Sequence, residues 1–420
     1  MKIRIKRRPR FSLEKLLLFV AVLCVSSYAL LEYASISIPI FTVVKWPLIY
    51  LAGACLLSQT NLLLKNIMKR KYFFILLALL AFCVSLLMSG NVNKDNSNEI
   101  SIMRSTVRTV IFLIELFVLM IWAAEKGHGK FLINFLFRYE LLLVIATDFL
   151  LFTKLIPFYD GSHEAYLVGT KFIVAYQHME LMTLWFLKSG VGFNVKNVSK
   201  LLLVAAAAYL VLVSIRVQCM TGVLGCLILF FCFILIDRPS RKGLSILNSP
   251  SFLLIALAVC LIFPFVSELV VSIPAVNYFV VDVLGRNENL TGRVEIFQIF
   301  GSKMEGHALF GFGMGNGNAA AKELFGYANA QNAFLHWILQ AGVVTTIALV
   351  LLMLMIFRQR SKLGAFKKSM PLVILIYVYI LLGTVEITFS MNFLLWLGVL
   401  FMQVNEKVPE APRLPDNPNK

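Results

Sequence analysis

Apolar residues fall in long runs along this chain, separated by short polar stretches that carry most of the lysines and arginines. A helix needs roughly 20 mostly apolar residues to cross about 30 Å of hydrocarbon. Runs of that kind cover residues 14–33, 40–58, 72–90, 106–124, 131–152, 172–188, 199–216, 217–236, 251–271, 332–357, 371–386 and 388–404. They predict about twelve transmembrane helices. The divisions between the seventh and eighth and between the eleventh and twelfth rest on very short separators.

One long interval, 272–331, lies between the ninth and tenth runs. A segment of that length between packed elements is usually functional or disordered. Its Phe279, Phe297, Phe300, Phe310, Phe312, Phe325 and Tyr327 argue against disorder and for folding against the membrane surface. The expected organisation is nine spans in 1–271, an extracytoplasmic loop with short helices in 272–331, three spans in 332–404, and a Pro-rich cytoplasmic tail in 405–420. The fold class is an all-α polytopic membrane protein.

Composition agrees, since 59% of the residues are hydrophobic, 15% are charged and the mean hydropathy is +0.83. A soluble domain of 420 residues could not hide that much apolar surface in its core. The net charge of +17 would suit a nucleic-acid partner, but the cations cluster between apolar runs, so no nucleic acid is expected. Of the 39 Lys and Arg, 27 lie on the side of the amino terminus and 11 on the other, with Arg138 inside a run. That asymmetry predicts both termini in the cytoplasm. The basic start K-I-R-I-K-R-R-P-R precedes an apolar run without a small-residue cleavage site, which predicts an uncleaved first helix. The seven cysteines all sit in apolar runs without C-x-x-C spacing and read as small buried hydrophobes.

Polar residues that interrupt this wall are the candidates for chemistry. In Asp282–Phe300, Asn289-Leu290-Thr291-Gly292 supplies turn and cap residues before an apolar helical pattern, placing Arg293 near a helix start. An anion there would meet a helix dipole and a guanidinium together, and arginine binds diphosphate oxygens through paired donors. Arg286 and Arg293 either do this or touch lipid headgroups. In Tyr166–His178 the residues Lys171, Tyr176, Gln177 and His178 lie within two turns of a predicted outer helix end. The seven-residue spacing lets Lys171 and His178 face one direction, while Glu180 sits deeper, where an ionisable group is costly. Arg216 lies at the outer junction of the seventh and eighth runs, and either snorkels to the interface or lines a wet cavity. The glycines of 311–318 fit neither nucleotide fingerprint and read as a turn that lets backbone approach another group. Asn329, Gln331 and Asn332, at the mouth of the tenth helix, either hold a sugar or diphosphate or cap the helix. No metal-binding or nucleophile motif is present, so neither metal nor cofactor is expected.

The combination L-G-R-N-E-N-L-T-G-R-V-E-I-F, then G-F-G-M-G-N-G, then A-N-A-Q-N-A-F-L resembles the O-antigen ligase and polysaccharide polymerase (Wzy) superfamily. The stretch Y-L-V-G-T-K-F-I-V-A-Y-Q-H is similar to the version in Gram-positive capsular and exopolysaccharide polymerases. The resemblance implies a metal-independent glycosyltransferase of the GT-C type in the bacterial cytoplasmic membrane. Its implied substrates are undecaprenyl-diphosphate-linked oligosaccharides, as donor and acceptor. Besides membrane lipid, a flippase and a chain-length regulator are implied partners.

The matching arginines are Arg286 and Arg293, with Glu295 in the same motif. Together with His178 they form the implied catalytic set. Lys171, Arg216, Tyr176, Gln177, Asn329, Gln331 and Asn332 form the substrate-binding set. Two departures matter: where ligases carry H-x-H-N this chain has Asn329-Ala330-Gln331-Asn332, and where they carry an S-R-T/G element it has Cys219-Met220-Thr221-Gly222. The missing histidine favours polymerase over ligase. A transporter of lipid-linked oligosaccharide, or of a small solute, is the alternative from a different class.

Overall fold

The computed structural model describes residues 12–95, 101–154, 158–160, 163–189, 197–236, 246–278, 281–282, 293–363 and 366–406. The chain runs through α1 (Leu13–Leu30), α2 (Ala34–Ser37), α3 (Ile40–Leu57), α4 (Thr60–Ile67), α5 (Arg70–Val92), α6 (Ile102–Lys126) and α7 (Gly129–Thr153). A small antiparallel hairpin follows, β1 (Phe158–Asp160) with β2 (His163–Ala165), in register Phe158 to Ala165. Then come α8 (Lys171–Ser189), α9 (Asn197–Arg216), α10 (Met220–Ile236), α11 (Pro250–Val271), α12 (Pro274–Tyr278), α13 (Arg293–Lys303), α14 (Gly317–Phe325), α15 (Ala333–Leu363), α16 (Phe366–Leu382) and α17 (Met391–Asn405).

A helix stands at each of the twelve apolar runs, and local chemistry explains many of the ends. Ser12 and Ser101 cap α1 and α6 by accepting from Lys15 N and Arg104 N, Gly127 closes α6 in the left-handed region, and Pro250 opens α11. By length and composition, α1, α3, α5, α6, α11 and α15 can each cross a membrane. Together with the exposed Leu, Ile and Phe along α3, α5 and α11, they make this an α-helical membrane protein. The hairpin is the one departure from an all-helical chain among the described residues, and it falls in the polar interval between α7 and α8.

The bundle is built around α17, in which every residue is buried. It packs on α6, α16, α1 and α15, while α16 packs on α8, α10 and α11. A helix that is apolar all round belongs in a core of this kind. The eleventh run ends earlier than its hydropathy predicts: the helix stops at Leu382, and residues 383–390 form a buried loop before α17.

Of the segment between α12 and α15, the described residues from Arg293 onward pack through their aromatic side chains, while Phe279 lies outside the described residues. Phe297, Phe300, Met304 and Phe325 form a second small core against Leu335 and Leu339 at the start of α15. The Phe300 and Phe325 rings stack with centroids 5.8 Å apart. This places the amino terminus of α13 beside the 383–390 loop.

Candidate functional site

Arg293, the first residue of α13, is half-buried and aimed at the 383–390 loop. Its Nε donates to Val385 O at 2.8 Å, and its terminal nitrogen forms an ion pair with Glu386 Oε1 at 2.6 Å. Glu386 is 5% exposed. It is fixed because the loop carrying it is tied down from several helices. Ala333 N donates to Gly383 O at 2.8 Å, Asn332 Nδ2 to Thr384 O at 3.1 Å, Trp337 Nε1 to Phe389 O at 2.6 Å, and Thr388 Oγ1 to Tyr379 O at 2.7 Å. The far end is held by Met391 N, which donates to Glu32 Oε2 at 2.9 Å. A loop whose backbone is this fully engaged presents its carboxylate in one place.

Tyr176, on the second turn of α8, meets this pair electrostatically: Glu386 and Arg293 both act on its phenol. Glu386 and Lys171 likewise act on Cys219, at the α9–α10 junction. The ring of Tyr176 sits edge-on to Tyr379 at 5.4 Å. Its hydroxyl, and both polar atoms of the adjacent Gln177, are buried with no hydrogen-bond partner among the described residues. Buried polar groups are nearly always satisfied, so the orphaned Tyr176 hydroxyl, in the field of the guanidinium–carboxylate pair, and the orphaned amide of Gln177 make the start of α8 a candidate position for a polar ligand. Four separate stretches thus converge at one end of the bundle: the starts of α8 and α13, the α9–α10 junction, and the loop before α17.

The other expected residues are distributed differently. Arg286 lies outside the described residues. Arg216 is exposed at the end of α9. Glu295 is exposed in the first turn of α13 and accepts from Tyr327 OH at 3.0 Å. That hydrogen bond, followed by a small burial contribution, raises the Tyr327 phenol above its usual range.

His178 turns to α7 and α9 instead. One ring nitrogen sits 2.8 Å from Val174 O and the other 3.3 Å from Asp148 Oδ2, an atom that also accepts from Tyr209 OH at 2.5 Å. The histidine therefore faces Asp148 and Tyr209, whereas Lys171 lies over the Phe172 ring and acts on Cys219. Glu180 is deeper still, fully buried, held by the Tyr379 hydroxyl and by Asn392 Nδ2 at 2.6 Å, and in contact with the fully buried Glu140.

At the mouth of α15, Asn332 uses its whole hydrogen-bonding capacity internally. Its Oδ1 accepts from Phe334 N and Leu335 N at 2.9 and 3.0 Å, and its Nδ2 donates to Cys260 O and Thr384 O. Of the two readings of this residue, the geometry favours the helix cap. Asn329 Oδ1 accepts from Gln331 N at 2.9 Å in a local turn, with Gln331 at φ 54°, and both residues stay partly exposed.

Sequence reasoning missed Glu386 and the 383–390 loop. The signal was there as one acid followed by Thr388, Ser390 and Asn392 inside an apolar run. No family model matches the chain, and no curated protein matches it in sequence.

Proposed function

We propose that the chain is a glycosyltransferase that joins lipid-diphosphate-linked oligosaccharide repeat units on the outer face of the bacterial cytoplasmic membrane, with twelve spans and both termini inside. The observation that carries this reading is the Arg293–Glu386 pair at the start of α13, with the unsatisfied Tyr176 phenol in its field. In this reaction an acceptor hydroxyl oxygen attacks the donor's anomeric carbon, the bond from that carbon to the diphosphate oxygen breaks, and the hydroxyl proton passes to a base. Charge accumulates on the departing diphosphate. A preorganised guanidinium, helped by Lys171, stabilises that charge more in the transition state than in the ground state. Glu295, two residues after Arg293 and exposed on the first turn of α13, is assigned as the proton acceptor over His178, which is buried against Asp148 of α7 and Tyr209 of α9.

Replacing Arg293 by alanine removes the guanidinium that this proposal assigns to the departing diphosphate, an effect worth about 100-fold or more in rate. The expected outcome is a surface glycan reduced to single repeat units, with the protein present at its normal level. A normal polymer ladder in that strain would sink the proposal. Deletion of the chain separates the neighbouring readings: a ligase leaves full-length polymer on the lipid carrier, whereas a carrier protein leaves lipid-linked units on the inner leaflet. The carrier reading has one observation in its favour, the contacting carboxyls of Glu140 and Glu180 in the bundle interior, since buried acids often mark ion pathways.

A further inference from the structure

A second polar feature lies at the opposite end of the bundle and plays no part in the glycan chemistry. Where α5 begins and α15 ends, the two helices enclose a cavity of about 450 Å³. Its lining includes Arg70 and Lys71 from α5 and Arg358 and Lys362 from α15. The far end of α5, some 30 Å away at 1.5 Å per residue, is the end whose Ser89 touches the loop below α13. The two sites are therefore separate.

Of these four cations only Lys71 is neutralised by a nearby acid among the described residues. Glu125 faces the start of α5, but it is held by Lys71 at 2.5 Å, by Lys69 at 3.1 Å and by the Tyr72 hydroxyl. Glu406, beyond α17, is taken by Lys368. Arg70, Arg358 and Lys362 have no acidic partner among the described residues. Arg358 and Lys362 lie one helical turn apart on α15 and share the cleft with Arg70, so an anion among them would relieve their mutual repulsion.

The cavity's walls say which anion. Phe74, Ile75, Met355 and Leu363 line it beneath the cations. The pattern continues along both helices: Leu351, Met355, Arg358 and Lys362 recur at spacings of four, three and four, and Arg70, Phe74 and Leu77 at four and three. Each set is one stripe, charged at the end of the bundle and apolar toward its middle. Leu77, Phe74 and Leu351 are exposed on these stripes. A free phosphate would use only the charged end. A molecule with a phosphate head and a hydrocarbon tail uses all of it.

We propose that this cleft binds an anionic phospholipid, with its phosphate between Arg70, Arg358 and Lys362 and an acyl chain along the Phe74–Leu77 and Leu351–Met355 stripes. Basic pockets between helices at a membrane surface are suited to such headgroups.

The test uses the full chain in phosphatidylcholine nanodiscs, to which phosphatidylglycerol is added stepwise while thermal unfolding is followed. Phosphatidylglycerol is expected to raise the unfolding midpoint saturably. The Arg358→Gln/Lys362→Gln double variant should need about 30-fold more of it, taking about 1 kcal/mol for each cation removed. Lys322→Gln, which removes an exposed cation on α14 at the other end, should respond as the parent does. An equal response from the double variant, or an equal loss from Lys322→Gln, overturns the site. A comparable shift from inorganic phosphate alone overturns the lipid assignment. If the double variant does not fold, native mass spectrometry of the parent protein with equimolar phosphatidylglycerol and phosphatidylcholine decides: preferential retention of phosphatidylglycerol supports the proposal, and equal retention refutes it.

Discussion

Glu386 fixes where the Arg293 guanidinium can go. The arginine side chain is 15% exposed and its partner 7%, so most of the water that would screen an exposed pair is excluded. Removing the carboxylate takes away the charged partner of a largely desolvated cation, while the backbone contact to Val385 O remains. Glu386→Ala should therefore cost about 2 kcal/mol of stability in a denaturant titration, toward the low end for buried pairs because some exposure remains. The same residues act as a unit, so the Arg293→Ala/Glu386→Ala double variant should lose less than the sum of the singles. Strict additivity would show that the two side chains are not coupled.

Tyr327 and Glu295 give a pH dependence at the same scale. The phenol donates to the carboxylate and its folded-state ionisation lies above the ordinary tyrosine range. The stabilisation is thus fully present below that ordinary range and is lost as pH rises through the raised value. Difference absorbance between the parent and Tyr327→Phe should show one phenol ionising above the usual range. A phenol titrating normally there would mean that the hydrogen bond does not form.

At the scale of elements, the decisive feature is a break in α15. Gly342 adopts φ 81° and ψ 173°, which interrupts the helical hydrogen bonds. The freed groups are satisfied by the preceding loop: Phe312 N donates to Leu339 O at 2.8 Å, and Val343 N donates to Ala308 O at 2.9 Å. A Cβ at Gly342 would stand 2.1 Å from Leu309 O, and one at Gly311 would stand 2.7 Å from Ala341 N. Gly342→Ala would combine backbone strain with a collision against fixed backbone. A loss of at least about 3 kcal/mol is expected. Hydrogen exchange should rise most at the amides of Phe312 and Val343. Exchange unchanged at those two amides would mean that the loop does not depend on the break.

Half of this interface was legible in the sequence. The glycines of 311–318 read as a turn built for close backbone approach, but what they approach depends on the break at Gly342, and an isolated glycine in an apolar run does not announce one. The 383–390 loop was hidden for a related reason. Its apolar residues extend the hydropathy of α16, and its backbone is released from helix only because Asn332, Trp337, Arg293 and Glu32 supply partners from distant parts of the chain. The twelve apolar runs, by contrast, were legible because helix formation in a membrane satisfies its backbone locally. Periodicity placed Lys171 and His178 within reach of one direction. It could not show that Asp148 and Tyr209 would draw the histidine toward α7 and α9.

At the scale of the whole molecule, the structure fixes which segments share an end, and the charge asymmetry of the sequence predicts which end faces inward. The start of α5 lies at one end of the bundle beside the short α4. Its other end meets the loop below α13, where Ser89 Oγ donates to Phe310 O at 2.5 Å and Asn93 Nδ2 does so at 3.2 Å. Residues of α4 and α13 must therefore face opposite sides of any membrane that α5 crosses. The excess of Lys and Arg on the α4 side predicts that this side is the cytoplasmic one, as the proposed topology requires. Cysteine labelling tests this directly, because six of the seven native cysteines are buried and Cys232 is only partly accessible. Ser302 on α13 and Lys65 on α4 are both exposed. In intact cells a membrane-impermeant maleimide should label Ser302→Cys and spare Lys65→Cys until the membrane is permeabilised. The reverse pattern would invert the protein and place the Arg293–Glu386 pair on the cytoplasmic side, where polymerisation of externally presented units could not reach it. Labelling of both sites in intact cells would instead show that α5 does not span the membrane.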